Sequence, residues 1–235
     1  MKVLFSLAFI IAALAAAPAR AELKGDPKAI ALAEKMIDRL GGAEVWSGAQ
    51  SLYLEYEGWR GDLSEPVVER AWRELASPRQ KMVFERRSAE VIWVMSEDAS
   101  WLEHSSRGLI RQSEEQHANN LAFWDFDFYT ILHNLARGDD RIILALEEPQ
   151  TILISGPNGA DWGWFEIDQT GQPVRWGAPD GDGGRLEYIY GPVRTYGNIN
   201  FPAWGTAHNG FWRFDYKTVD VSRHPLDIDL TPPGE

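Results

Sequence analysis

The feature that most constrains the fold is a series of short alternating segments, which recur about every ten residues between positions 51 and 113. In the first segment Leu52, Leu54 and Tyr56 share one face, while Tyr53 and Glu55 share the other. This period of two is typical of a β-strand with one face turned to a core. Polar turns separate the segments, so consecutive strands should pair as an antiparallel meander. The predicted strands are 51–60, 67–75, 80–87, 90–96, 100–104 and 108–113.

Two segments have a helical period instead. Asp26 followed by Pro27 predicts the start of a helix over 27–40, with apolar residues at three- and four-residue spacing. Gly41 follows as its end. A second helix is predicted over 118–137, where apolar residues recur at the same spacing and interrupt the series of strands.

Strand-like segments resume after the second helix, and a loop rich in Gly and Asp is predicted over 178–184. Asp180 and Asp182 in this loop resemble part of a calcium-binding loop, but the further acidic ligands are missing, which favours a solvated turn. The turn at 169–172 predicts a hairpin between two of the strands. These later strands are 141–146, 150–155, 162–168, 173–176, 185–190, 193–199 and 211–221. Many strands with few helices and no linker predict one α+β domain over residues 22–235.

The first 21 residues are typical of a cleavable secretory signal peptide. Lys2 is followed by an apolar stretch over 3–17, and Ala19 and Ala21 form the small-x-small pattern of a cleavage site. The apolar stretch is shorter than the roughly 20 residues of a membrane-spanning helix. We therefore expect a mature chain that begins at Glu22, works in a bacterial periplasm and is not an integral membrane protein.

The composition excludes several partners and cofactors. The chain has no cysteine, so neither a lipidated N-terminal cysteine nor a disulfide is available. Its net charge of −12 disfavours nucleic acid and anionic membrane surfaces as partners. The five histidines lack the spacing of a zinc pair, and no Gly-x-Ser-x-Gly motif is present. We expect no catalytic residues, no metal and no cofactor.

Four segments, in order along the chain, resemble periplasmic LolA/LolB-like lipoprotein-sorting proteins. Residues 33–56 combine a helix, a Gly-Gly stop and a first strand, and residues 164–176 form a hairpin with the turn Asp-Gln-Thr-Gly-Gln-Pro-Val. Residues 196–202 and 214–221 resemble the closing strands of that family. Residues 101–138 match no motif of the family, and its members carry no sharp ligand signature.

The resemblance implies one curved antiparallel sheet, a half-open β-barrel, with helices covering its concave face. It also implies a non-enzymatic carrier of a lipid, a lipoprotein acyl chain or another hydrophobic ligand, with an envelope membrane protein as a further partner and a role in outer-membrane biogenesis. Function is less transferable than fold, so other classes stay open. One alternative is an exported carbohydrate-binding protein or hydrolase on a β-rich scaffold, and another is a structural envelope protein whose cavity is filled by its own side chains.

The aromatic content, 11 Trp, 10 Phe and 7 Tyr, supplies candidate ligand contacts. Large aromatic side chains either fill a core or line a site for apolar or sugar ligands. The candidates for ligand binding are Trp59, Trp72, Trp93 and Trp101 on the predicted strands, together with Trp124 and Phe128 on the inserted helix. Charged and apolar neighbours alternate irregularly around Trp72 and Trp93, so the pattern does not assign their faces.

Overall fold

The computed structural model describes residues 22–179 and 184–230. The signal peptide predicted over 1–21 and most of the Gly/Asp loop lie outside the described residues. Within the described part of the chain, fourteen strands form one curved sheet that does not close. This confirms the predicted α+β half-barrel.

The helices and strands follow the predicted order with several additions. The helices are α1 (Pro27–Arg39), α2 (Ala43–Gly48), α3 (Glu114–Phe126) and α4 (Phe128–Arg137). The first strands are β1 (Lys24–Gly25), β2 (Ser51–Arg60), β3 (Val67–Glu74), β4 (Gln80–Arg86), β5 (Ala89–Met95), β6 (Ser100–His104) and β7 (Gly108–Arg111). The later strands are β8 (Ile143–Glu148), β9 (Thr151–Ser155), β10 (Asp161–Ile167), β11 (Pro173–Pro179), β12 (Arg185–Tyr190), β13 (Val193–Tyr196), β14 (Ile199–Pro202), β15 (Trp204–Ala207) and β16 (Trp212–Ser222).

The sheet consists of two meanders joined by the last strand. Its order is β1-β8-β9-β10-β11-β12-β15-β16-β2-β3-β4-β5-β6-β7. All neighbours are antiparallel except β1 and β8. Because β16 pairs with β2 along its whole length, the two ends of the domain meet at the centre of the sheet.

The helix predicted over 118–137 is two helices, which corrects the sequence prediction. Asp127 has extended backbone angles, φ −62° and ψ 144°, and separates α3 from α4. The first helix begins earlier than predicted because Ser113 caps it, in a capping box with Gln116. Residue 113 is therefore a helix cap and not the end of a strand.

Two further predictions need correction, and one helix was not predicted. The strand predicted over 193–199 is the start of a separate β13–β14 hairpin, because Gly197 takes a positive φ of 55° and reverses the chain. Strand β11 continues to Pro179, so the loop is shorter than predicted. The short segment after Gly42 contains α2, whose Trp46 is fully buried.

The core lies between the concave face and the helices. Asp26 accepts hydrogen bonds from the amides of Lys28 and Ala29 at the start of α1. Helix α4 is buried from Phe128 to Ala136 and packs over the later strands, where the ring of Phe128 lies 5.3 Å from Phe165 and 5.1 Å from Tyr190. The helices thus cover the later strands, and they also reach β3 through Tyr129 and β6 through His117. The part of the concave face lined by Tyr56, Glu69, Phe84 and Val91 stays open.

Candidate functional site

A cavity with a volume of about 810 Å³ occupies the open part of the concave face. It extends from the loops at one end of the sheet toward the first turn of α4. Its size is within the range of sites that hold small organic ligands. Most of its wall is apolar, and the apolar lining side chains are Tyr56, Leu63, Val67, Met82, Phe84, Val91, Tyr188, Phe211 and Trp212.

An inner cavity of about 200 Å³ continues this space beneath the helices. Four wall residues, Tyr56, Met82, Tyr188 and Trp212, are common to the two cavities. The inner wall is more aromatic still, with Phe128, Trp176, Tyr190, Phe214 and Tyr216. The site is therefore a groove whose inner end lies at α4.

Strand register places the wall side chains on one face. Tyr56 on β2 is opposite Glu69 on β3, which is opposite Phe84 on β4 and then Val91 on β5. Residues opposite one another in an antiparallel sheet project to the same side. A single row of side chains across four strands thus faces the cavity.

A glycine shapes the central part of the wall. A Cβ atom at Gly58 would overlap the indole of Trp212 on the neighbouring strand. The missing side chain allows this ring to lie directly over the backbone of β2. Phe214, which pairs with Gly58, packs 6.3 Å from Trp212.

The groove contains buried charges. Glu69 is 2% exposed and Arg73 is 6% exposed, both on the concave face of β3. Arg73 forms an ion pair with Asp127 between α3 and α4, and its guanidinium lies 5.2 Å from the ring of Tyr129. The hydroxyl groups of Tyr129 and Tyr216 are hydrogen-bonded at 2.6 Å. Polar contacts therefore tie the start of α4 to the sheet at the inner end of the groove.

Burial shifts the acidity of these groups. It raises the pKa of Glu69 to about 8, although a hydrogen bond from Tyr56 and the charge of Arg73 act in the opposite direction. Burial also raises the pKa of Asp127, against the effect of Arg73. At neutral pH the Glu69 side chain is mostly a neutral carboxylic acid, which can donate a hydrogen bond.

The mouth of the groove carries charged side chains. Arg60 lies at the mouth, forms a 3.0 Å ion pair with Asp62 and places its guanidinium 5.4 Å from the ring of Phe211. Arg86, at the end of β4, lines the same opening. The site therefore combines a charged mouth with an apolar interior.

The structure separates the six residues that the sequence suggested for ligand binding. Phe128 lines the inner cavity, and Trp93 is opposite the cavity residue Met82, with its indole N–H hydrogen-bonded to Gln112 at 3.0 Å. Trp124 is 7% exposed and lies within α3.

The other three tryptophans lie on the opposite, convex face. Trp59 is 40% exposed, and Trp72 packs against Tyr53 at 5.2 Å. Trp101 is opposite Val94 on this same face. The groove thus brings together only Phe128 and, near its wall, Trp93, and ligand binding by all six stays a prediction.

Sequence reasoning missed Tyr56, Glu69 and Trp212 as site residues. For Glu69 a signal was available, because it lies between Val67 and Ala71 on the same face of its strand. An acidic residue on an otherwise apolar strand face is a candidate site residue. Trp212 had no such signal, because its position depends on pairing with a strand about 150 residues earlier.

A serine and a histidine do meet, but away from the groove. The Oγ atom of Ser100 lies 2.9 Å from Nδ1 of His117, and the backbone carbonyl of Glu97 is 3.1 Å from Nε2. Ser100 is fully buried, so this contact joins β6 to α3 and offers no accessible nucleophile. Among residues 22–179 and 184–230, no three acidic or histidine side chains are arranged to hold a metal ion. No helix in that part of the chain is both long and apolar enough to cross a membrane.

Comparisons with known proteins show the fold. No protein-family model matches the chain, and no curated protein matches it. A DUF1329 family protein from Desulfovibrio piger aligns over 85% of this chain and 95% of its own, with 9% identity and a TM-score of 0.52. The two chains share a fold. A domain described as an outer membrane lipoprotein-sorting protein from Vibrio parahaemolyticus aligns over 86% of this chain and 96% of its own, with 11% identity and a TM-score of 0.49.

Proposed function

We propose that this protein is a non-enzymatic carrier that holds a lipid, an acyl chain or another hydrophobic ligand in the groove between the curved sheet and α4. The observation that carries the proposal is the cavity of about 810 Å³ with its aromatic and aliphatic wall. A structural protein filled by its own side chains would not need this space. The helices leave this part of the concave face uncovered.

The binding energy would come from removing apolar surface from water. Each buried CH₂ group contributes about 0.8 kcal/mol, or roughly a fourfold gain in affinity. Affinity should therefore rise with acyl chain length until the groove is full. Neither a metal nor a cofactor has a part in this function.

The test is binding of acyl probes to the mature chain. Native mass spectrometry and displacement of a fluorescent fatty-acyl probe would be applied to wild type and to Val91→Trp, which adds bulk to the cavity wall. Ile92→Trp is the matched control, because Ile92 is the next residue on β5 and projects from the other face. We expect Val91→Trp to weaken binding of the probe and Ile92→Trp to leave it unchanged. Equal binding in all three proteins, or no binding in wild type, would refute a carrier role for this groove.

The cellular location is part of the proposal. We place the mature protein in the periplasm after removal of residues 1–21, with an envelope membrane protein as the partner that supplies or receives the ligand. N-terminal sequencing of protein recovered from an envelope fraction should begin at Glu22. Recovery of the uncleaved chain from the cytoplasmic fraction would contradict this location.

A further inference from the structure

Glu69 has an unused hydrogen-bonding atom at the cavity wall. Its side chain lines the 810 Å³ cavity, although the residue is only 2% exposed. Among the residues that the structure describes, its Oε1 atom has no hydrogen-bond partner, while Tyr56 donates a hydrogen bond to the carboxyl group. A buried polar atom without a partner destabilises the protein, because it has lost its hydrogen bonds to water. A bound ligand that supplied a partner would remove this cost.

The neighbours of Glu69 restrict what that partner can be. The titratable groups that face it are Tyr56 from β2, Arg73 from β3, Tyr188 from β12 and Tyr129 from α4, and Asp127 lies beyond Arg73, between α3 and α4. Strand β4 contributes the apolar Phe84. The tyrosines are neutral because burial raises their pKa values, and Asp127 is engaged by Arg73. Asp127 compensates the charge of Arg73 and Asp62 that of Arg60, which leaves Arg86 as a further positive charge in the cavity lining and gives a cationic ligand no free carboxylate there.

The geometry favours a neutral carboxyl group that acts as donor. Its burial raises the pKa of Glu69 to about 8. With one oxygen accepting from Tyr56, the other, the unpartnered Oε1, is left to carry the proton. The complementary group on an otherwise apolar ligand is a carbonyl oxygen.

We propose that Glu69 donates a hydrogen bond to a carbonyl oxygen of the bound lipid, so that the ligand is an acyl ester or acyl amide. This inference rests on the proposed carrier function and names its ligand class. The ester or amide lies at Glu69, the acyl chain extends inward toward Phe128, and the head group extends toward the mouth.

Strand geometry supports this orientation. Arg86 is two residues beyond Phe84 on β4, and Phe84 is opposite Glu69. Two residues of a strand span about 7 Å, so a head group attached next to the carbonyl reaches Arg86 at the mouth.

The test compares two probes of equal length that differ in the carbonyl. One is the methyl ester of pyrene-dodecanoic acid, and the other is pyrene-tetradecane, whose chain has the same number of heavy atoms. Wild type, Glu69→Gln and Glu69→Met would be titrated with both at pH 6. The amide of Glu69→Gln retains a donor in nearly the same shape, whereas Glu69→Met removes the donor at similar volume.

We expect Glu69→Met to lose roughly five- to tenfold in affinity for the ester while its affinity for the alkane is unchanged or higher. Glu69→Gln should retain the preference for the ester. In wild type the preference should fall as pH rises past about 8, because a carboxylate cannot donate, and it should not change in Glu69→Gln. This pH series tests whether Glu69 is the donor even if Glu69→Met does not fold.

The outcomes separate the two proposals. An ester preference that is insensitive to both Glu69→Met and pH would overturn the role of Glu69 and leave the carrier function standing. Failure of wild type to bind either probe would remove the carrier function itself. Tighter binding of an amine-bearing probe above pH 8 would assign Glu69 to a cationic ligand instead.

Discussion

The guanidinium of Arg73 on β3 forms a buried ion pair with the carboxylate of Asp127, the residue that separates α3 from α4. The two side chains are 8% and 5% exposed. Because Asp127 breaks the helical run where it meets Arg73, the pair sets where α4 begins and how that helix sits on the sheet. The inner end of the groove therefore depends on this contact.

Removing one partner should strongly destabilise the domain. We expect Arg73→Met to lower the free energy of unfolding by about 3 to 5 kcal/mol, since Asp127 would be left as an uncompensated buried charge. The double variant Arg73→Met/Asp127→Asn should lose less than the sum of the two single variants. Chemical denaturation of all four proteins gives the coupling energy.

Arg70→Met is the matched control for this cycle. Arg70 lies three residues earlier on β3 but on the convex face, where it pairs with Glu85 at 2.8 Å and is 34% exposed. An exposed pair contributes at most about 1 kcal/mol. If Arg73→Met proves no more harmful than Arg70→Met, the buried pair does not anchor α4.

Glu69 should make stability depend on pH. Its pKa rises from 4.5 to about 8 on folding, so the folded state retains a proton that the unfolded state has lost. The protonated side chain therefore adds to the free energy of unfolding. This contribution is complete below pH 4.5 and is lost as the pH rises toward 8, by about 1.4 kcal/mol per pH unit. Denaturant unfolding across this range should show that slope as the difference between wild type and Glu69→Gln. Parallel pH profiles for the two proteins would contradict the shift.

His133 should act in the opposite direction. This α4 residue is 3% exposed, its Nδ1 atom lies 2.8 Å from the carbonyl oxygen of Trp46, and burial lowers its pKa. The folded state then binds fewer protons than the unfolded state, so stability is lost as pH falls below about 6.5. His133→Asn, whose amide N–H can replace Nδ1–H, should remove this acid sensitivity.

Below pH 6.5 the two contributions to the free energy of unfolding offset each other. As the pH falls, the contribution of Glu69 grows and that of His133 is lost. Glu69→Gln should therefore reveal a stronger acid sensitivity than wild type, and the variant carrying both substitutions should not show it. Thermal unfolding at pH 5, 6 and 7 measures this. An acid response that His133→Asn leaves intact would assign it to other groups.

The sequence predicted the sheet better than it predicted the site. The alternation in β2 and the Asp26-Pro27 start of α1 are local patterns, and both elements formed where expected. The break at Asp127 is not local, because it depends on Arg73 more than fifty residues earlier. The helical period of the sequence therefore predicted one continuous helix where the structure has α3 and α4.

The face of each aromatic side chain also depended on distant pairing. Both faces of β2 and β3 carry aromatic or charged residues, as with Tyr53 and Trp72 on the convex face and Tyr56 and Glu69 on the concave face. Alternation alone cannot identify the buried face of such strands. The position of the helices over the sheet decides it.

Two tryptophans on neighbouring strands distinguish the two faces experimentally. Trp212 lines the groove, whereas Trp59, a residue that the sequence suggested for ligand binding, is opposite Arg213 on the convex face. We expect Trp212→Leu to lower the affinity for a fluorescent acyl probe roughly tenfold, because it removes apolar wall surface that contributes about 1 to 2 kcal/mol to binding. Trp59→Leu should bind the probe as wild type does, with unfolding curves confirming that both variants are folded. If Trp59→Leu loses binding and Trp212→Leu does not, the ligand binds the convex face, and the groove beneath α4 is not the site.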